Sequence, residues 1–186
     1  MIEQSPPPDD IEEIPFTKHP ELHLEDISID LETGRETVHE TTNFKILFRA
    51  YLALKSVLQG SETVDEAVLE ALKTKANPLE RVYLDTVAQN WPTLNTGFSS
   101  FAEAYPGLYK KMADYIQRQN GIVKARNSIE AQHGRGSPEA SLLYEQSLSS
   151  PQELAQTHKI FSMGLDGVIQ QIKQHDPGFD INVLNQ

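Results

Sequence analysis

Apolar side chains recur with a helical period along the chain from residue 42 onward. In the first such stretch they are spaced so that they line one face of a helix. The members of this stripe are Phe44, Leu47, Phe48, Tyr51, Leu54 and Leu58. The spacing predicts a helix from about Thr42 to Gln59. Gly60 is placed to end it, because glycine readily adopts the left-handed backbone that is common after helix C-termini.

After residue 60, residues typical of helix N-caps indicate where the next helices begin. Thr63 and Glu66 have the spacing of a capping box, in which each side chain accepts a hydrogen bond from the backbone of the other residue. Asn77 precedes Pro78, and this order predicts an N-cap followed by proline at the first helical position. The pattern therefore predicts two further helices, one beginning after Thr63 and one at Asn77.

The third helix is predicted to end before Trp91, because a residue ahead of proline avoids helical backbone angles and Pro92 follows it. Thr, Asn, Gly and Ser predominate over residues 92–99. This composition is typical of a loop. Ser100 is then expected to open one short turn of helix, which Pro106 interrupts.

Three more helices are predicted in the C-terminal half. The first covers about residues 107–132 and contains Gly121, which indicates either a kink or a close contact with a neighbouring helix. Ser137 and Ser150 each precede a proline and predict the N-termini of the other two. The last helix is expected to run to about His175.

The last helix has the most regular apolar pattern in the chain. Its apolar positions, together with one histidine, alternate at spacings of four and three residues, as in a heptad seam. They are Leu154, His158, Phe161, Leu165, Val168 and Ile172. The seam is short, so we interpret it as the core strip of an intramolecular bundle and not as an intermolecular coiled coil. Gly164 and Gly167 lie beside it and would let a neighbouring helix approach closely.

These elements predict a mainly α protein, a compact bundle of about six helices with an acidic N-terminal arm. Residues 22–31 alternate apolar and polar side chains, as a half-buried strand does, and a glycine-containing turn follows. We therefore expect 22–40 to form an extended arm or a short β-hairpin. Residues 1–21 are expected to be a disordered acidic, proline-rich tail, 41–177 the helical domain and 178–186 a C-terminal tail.

The charge of the chain is concentrated in the arm. The 186 residues carry a formal net charge of −11. Residues 1–40 contain 12 Asp and Glu against two Lys and Arg, so this segment is −10 and the remainder is −1. The overall acidity argues against a nucleic-acid partner, because phosphate binding needs an excess of cations. Residues 108–126, in contrast, are locally basic. One hypothesis is that the acidic arm lies against this basic stretch until a partner displaces it.

Motifs for chemistry are absent from the sequence. There is no cysteine, so disulfides, thiol catalysis and thiolate metal sites are excluded. The six histidines do not have the spacings of metal-binding helices, and no nucleophile elbow or phosphate-binding glycine loop occurs. We expect no catalytic residue, no metal and no cofactor, and we interpret His158 as a core or boundary residue. No stretch is apolar enough to span a bilayer, and a cytoplasmic location is expected, although specialised secretion stays open.

The sequence therefore favours a non-enzymatic protein–protein interaction module, such as an adaptor, a secretion chaperone or an inhibitor or immunity protein. The partner is expected to be a protein with a basic surface. The candidate partner-binding residues lie on the arm and on the basic helix: Asp26, Ile27, Ile29, Asp30, Leu31, Glu32, Lys110, Lys111 and Arg118. Two alternatives are a bacterial secreted effector or phage accessory protein, and an enzyme or small-ligand-binding bundle whose site assembles only on folding.

Overall fold

A computed structural model describes residues 27–29, 36–38, 42–147 and 150–185. Within them the chain forms seven α-helices, which confirms the predicted mainly α bundle. The helices are α1 (Thr42–Leu58), α2 (Glu66–Lys73), α3 (Pro78–Gln89), α4 (Trp91–Ala104), α5 (Pro106–His133), α6 (Pro138–Ser147) and α7 (Pro151–His175). A 3-10 helix, η1 (Ile181–Asn185), follows them.

Two short strands precede the bundle. β1 (Ile27–Ile29) pairs antiparallel with β2 (Glu36–Val38), and Ile27 lies opposite Val38. The side chains of both strands lie outside the described part of the chain, as do Asp26, Asp30, Leu31 and Glu32. The role of these arm residues in partner binding therefore stays a prediction from the sequence.

Local backbone chemistry sets the ends of the first helices. α1 stops where Gln59 and Gly60 both adopt positive φ angles, of 48° and 87°. Asn77 caps α3: its side chain accepts from the Glu80 backbone N–H at 2.9 Å, and Glu80 accepts in return from the Asn77 backbone N–H at 3.4 Å. This reciprocal pair satisfies backbone donors that the first helical turn leaves free, so α3 begins where the sequence predicts.

The capping box expected at Thr63 does not form. α2 begins at Glu66 and its N-cap is Asp65, whose carboxylate accepts from the Ala67 backbone N–H at 2.8 Å. Thr63 instead donates its backbone N–H to the Ser61 hydroxyl in the preceding turn. Aspartate is as good an N-cap as threonine and also carries a charge that favours the helix N-terminus, which explains the later start.

The loop predicted over 92–99 is wrong, because these residues belong to α4. Pro92 occupies the first turn of that helix, where its missing N–H has no cost. Apolar side chains at helical spacing outweigh the weak helix propensity of the residues between them. They are Trp91, Leu94, Phe98 and Phe101, all buried. Ser100 is consequently in the interior of α4, and the short turn expected to begin there does not exist as a separate element.

The core is an aromatic cluster centred on α1. Phe44, Phe48 and Tyr51 point from α1 towards Phe98 of α4 and Phe161 of α7, and all five side chains are fully buried. The Tyr51 and Phe98 rings stack with centroids 4.3 Å apart, and the Phe48 and Phe98 centroids are 5.4 Å apart. This cluster fixes α1 between α4 and α7, and Phe48 also contacts Tyr109 of α5 with ring centroids 5.8 Å apart.

α7 packs within the chain, as its seam predicts. Phe161, Val168 and Ile172 are fully buried, whereas the other three seam residues are partly buried. Gly164 lies against Met112 of α5, and Gly167 lies against Phe101 of α4. A side chain at either glycine would meet its neighbour, so these residues permit the close approach expected of them.

Two other features differ from the sequence prediction. Gly121 is exposed, and no atom lies within 4 Å of the position that a Cβ would take, so it marks no close helix contact. The C-terminal segment, expected to be a tail from residue 178, folds back as η1 onto α1, and Leu184 is fully buried there. The segment is only nine residues long, which is too short for a periodic pattern that would reveal the burial of Leu184.

Candidate partner-binding groove

A groove of about 450 Å³ lies between α1 and α5. It is lined by Leu52, Lys55, Ser56, Tyr109, Ala113, Ile116, Gln117 and Asn120. On α5 these residues lie on one face of the helix over about three turns, whereas on α1 they cover a single turn. The groove therefore extends about 17 Å along α5, at 1.5 Å per residue, and is flanked by α1 over part of that length.

The floor of the groove is apolar. Ile116 is buried, and Leu52 and Ala113 are partly buried and pack against the core. Gln117 and Asn120 add carboxamides along α5, and Ser56 adds a hydroxyl on α1. An amide group can both donate and accept hydrogen bonds, so the walls can satisfy a peptide backbone placed on this floor.

A cation stands at the rim of the groove. The Lys55 Nζ lies 5.9 Å from the centroid of the Tyr51 ring and 5.8 Å from that of Tyr109. The negative faces of both rings attract the ammonium group and limit the positions that it samples. Because the Lys55 side chain is exposed, its charge remains accessible to an anionic group in the groove.

The tyrosines beside Lys55 are neutral over a wide pH range. Burial raises the pKa of Tyr109, and burial followed by repulsion from Tyr109 raises the pKa of Tyr51 further. The Tyr51 hydroxyl donates a hydrogen bond to Asn95 Oδ1 at 3.0 Å. The groove therefore offers the neutral phenol of Tyr109 and the positive charge of Lys55.

Two more cations lie on the same side of α1. Lys45 and Arg49 precede Leu52 and Ser56 at spacings of four, three and four, and are only 2% and 7% exposed. The Lys45 Nζ lies 5.5 Å from the centroid of the Tyr115 ring. Arg49 Nε is buried with no hydrogen-bond partner in the part of the chain that the structure describes. Buried charge is costly unless it is compensated, so the Arg49 guanidinium favours an anionic neighbour.

A smaller opening of about 290 Å³ lies where α4, α5 and α7 meet. Met163 and Tyr105 at its edge are 52% and 42% exposed. Its lining includes Asp166 and carries no cation. This opening can take an apolar side chain, but it has fewer polar groups to orient one.

Ser100 and His175 are the pair of side chains that most resembles a catalytic dyad. The Ser100 Oγ and the His175 Nε2 are 2.9 Å apart on the surface, where they join α4 to the end of α7. Acyl transfer also needs free backbone donors for the oxyanion. Ser100 lies in the interior of α4, where backbone N–H groups are bonded to carbonyls one turn earlier. The pair therefore has the geometry of a structural hydrogen bond.

The predicted basic residues of α5 lie outside the groove. Lys110 forms an exposed ion pair with Asp114 at 2.6 Å. Lys111 and Arg118 are seven residues apart and exposed, on the side of α5 away from the groove-lining face. Lys55, the cation that lines the groove, is not among the partner-binding residues predicted from the sequence. The available signal was a second stripe on α1, polar and beside the aromatic one.

This chain matches no protein-family model, no curated protein sequence and no solved structure. In the described ranges no three His, Asp or Glu side chains are arranged to hold a metal ion. None of the described helices has the combination of length and hydropathy that crossing a bilayer requires.

Proposed function

We propose that this chain is a non-enzymatic protein–protein interaction module, of the adaptor, chaperone or inhibitor kind. In this proposal the groove between α1 and α5 receives a segment of a partner protein. The observation that carries the proposal is the combination of an apolar floor with amide walls and a cation at the rim. An amphipathic helix or a strand with apolar anchors is recognised by grooves of this type.

The length of the groove supports a peptide in preference to a compact ligand. About 17 Å corresponds to roughly three turns of helix or five residues of strand. Leu52 and Ile116 on the floor would contact the apolar anchors of the segment, and Lys55 would attract a carboxylate beside them. The groove would thus select an acidic amphipathic segment, while the acidic arm of this chain would remain available for a basic surface of the same partner.

Site-specific photo-crosslinking tests the proposal. Benzoylphenylalanine replaces Gln117 in the full chain, and a control chain carries it at Val82, which is 59% exposed on α3. On irradiation in cells, we expect the chain with the probe at position 117 to crosslink to one discrete protein. The chain with the probe at position 82 should not crosslink to that protein. Adding Leu52→Glu should abolish the product while circular dichroism stays unchanged. The same products from both positions, or none from Gln117, would contradict the proposal.

A second candidate is a small-ligand-binding bundle, because a volume of 450 Å³ falls in the range of small-molecule sites. An acidic amphiphile would use the same floor and the same Lys55. Native mass spectrometry separates the two functions. A co-purifying small molecule that disappears with Leu52→Glu would favour the ligand-binding function, and its absence together with a Gln117 protein crosslink would favour the interaction module.

A further inference from the structure

The N-terminal segment contains a short stretch whose chemistry matches the groove. Residues 9–16 read Asp-Asp-Ile-Glu-Glu-Ile-Pro-Phe, so four carboxylates alternate with three large apolar side chains. Ile11 and Ile14 are three residues apart, the spacing of two anchors on one face of a helical turn. Residues 25–32 have the same composition, but Ile27–Ile29 within them pair with β2 as strand β1, so 9–16 is the stretch of this kind that is not held in the hairpin.

The groove supplies what this stretch requires. Leu52, Ala113 and Ile116 form an apolar floor for the isoleucine side chains, and Lys55 stands at the rim. An acidic segment in the groove brings carboxylates to Lys55, whereas a basic segment places like charges beside it.

The connecting chain is long enough for residues 9–16 to reach the groove. Pairing of β1 with β2 holds Ile27 opposite Val38, which shortens the path from Phe16 to Thr42. About 15 residues of linking chain remain, and they can extend to roughly 50 Å. Leu52 lies ten residues along α1 from Thr42, or about 15 Å. The reach exceeds the distance severalfold, so the linker imposes no strain on this contact.

We propose that residues 9–16 bind in the α1–α5 groove of their own chain and compete there with the partner's segment. The proposal rests on the function inferred above for the groove and adds its regulation. A tether of this length gives the segment an effective concentration on the order of millimolar. A partner segment must therefore outcompete it, and once displaced the acidic arm is released towards basic surfaces of the partner.

Disulfide trapping in the full chain tests this contact, because the protein has no native cysteine. One double variant carries Glu13→Cys with Gln117→Cys, and the control carries Glu13→Cys with Val82→Cys on α3. Under mild oxidation we expect an intramolecular disulfide to form roughly fivefold or more faster in the first variant, since docking raises the local concentration of the pair. Non-reducing electrophoresis and intact mass identify the product.

Charge and anchor variants show whether the contact uses the groove. Lys55→Glu should slow trapping roughly fivefold, because it places a negative charge where the carboxylates bind. Lys159→Glu, the same change at an exposed site on α7, should leave the rate unchanged. Ile14→Asp should slow trapping as well, and since it lies outside the helical domain it acts without unfolding that domain.

Three outcomes overturn the proposal. Equal trapping rates at Gln117 and Val82 would mean random encounter, and trapping insensitive to Lys55→Glu and Ile14→Asp would mean contact outside the groove. Disulfides between two chains in place of intramolecular ones would assign the groove to a second copy. A partner crosslinked at Gln117 despite any of these results would leave the interaction function intact, so the two proposals fail separately.

Discussion

The interface of α4 with α7 and the interface of α1 with α5 differ in how closely their helices approach. α4 and α7 touch along much of their length, since Gly97 meets Ile172 and Gly167 meets Phe101 with no space for another side chain. α1 and α5 approach at few backbone positions and leave a groove of about 450 Å³. One interface is closed and the other is open, in the same small bundle.

Side-chain size and polarity explain the difference. Glycine on a helix face allows a neighbouring side chain to fill the space that a Cβ would take. Along the groove the facing residues include Lys55, Tyr109 and Gln117, which are long or carry polar groups that need water or a partner. A helix pair with such residues cannot close without burying unpaired polar atoms, so the open interface is a consequence of its sequence.

Truncating one apolar residue in each interface should give the largest contrast. Ile172→Ala removes a fully buried side chain from the closed interface, and we expect a loss of about 2–5 kcal/mol in the free energy of unfolding. Leu52→Ala removes a half-buried side chain from the groove, and about 1 kcal/mol is expected because part of its surface is already in water. Urea denaturation measures both values, and equal losses would refute the contrast.

Alanine substitution of two helical glycines should change stability in opposite directions. A Cβ at Gly167 would lie 2.5 Å from the Phe101 ring, so Gly167→Ala should cost about 1–3 kcal/mol through overpacking. Gly121 has no atom within 4 Å of that position, so Gly121→Ala should gain about 0.5–1 kcal/mol from helix propensity. Thermal unfolding of both variants measures the direction of each change in stability. An increase in stability for both variants would mean that the closed interface tolerates a methyl group.

Alkaline pH should affect stability more through the buried Tyr51 than through Tyr109, which lines the groove. Burial raises the pKa of Tyr51, so the folded protein keeps that proton when the unfolded chain loses it near pH 10. Stability is complete below about pH 10 and falls as the pH rises, by at most about 1.4 kcal/mol per pH unit for this residue. Tyr51→Phe should flatten the decline more than Tyr109→Phe or than the exposed control Tyr105→Phe. Denaturant midpoints from pH 8 to 11 measure the slopes.

Removing the rim cation should have the smallest effect on folding. Lys55 is exposed, so Lys55→Gln should change the free energy of unfolding by less than about 0.5 kcal/mol. The same variant should weaken any anionic segment bound in the groove, because it removes the positive charge at the rim. Urea denaturation and the disulfide-trapping rate, measured on one preparation, separate the two effects. A large loss of stability would instead make Lys55 a structural residue.

The sequence predicts local features better than contacts between helices. The seam of α7 and the capping pair at Asn77 are local patterns, and both appear in the structure where the spacing indicates. α4 was missed because Thr, Asn, Gly and Ser around Leu94 and Phe98 suggest a loop, and only tertiary burial of the apolar positions makes them helical.

The groove was beyond prediction for a related reason. It depends on the distance between two helices that are separated by some fifty residues in the chain, and periodicity gives the face of each helix but not that distance. Lys45 and Arg49 on α1 are the nearest sequence signal, since two cations in a helix otherwise rich in aromatic residues indicate a face that is not part of the main core.

The burial of Leu184 on α1 has a consequence for synthesis of the protein. α1 is the first helix of the bundle to be made, and two of the elements that cover it, α7 and η1, are the last. Until they emerge, the apolar face containing Phe44 and Phe48 lacks part of its cover, and contacts between the two ends of a domain form slowly. A holdase chaperone would therefore find its main binding site in the nascent chain at α1.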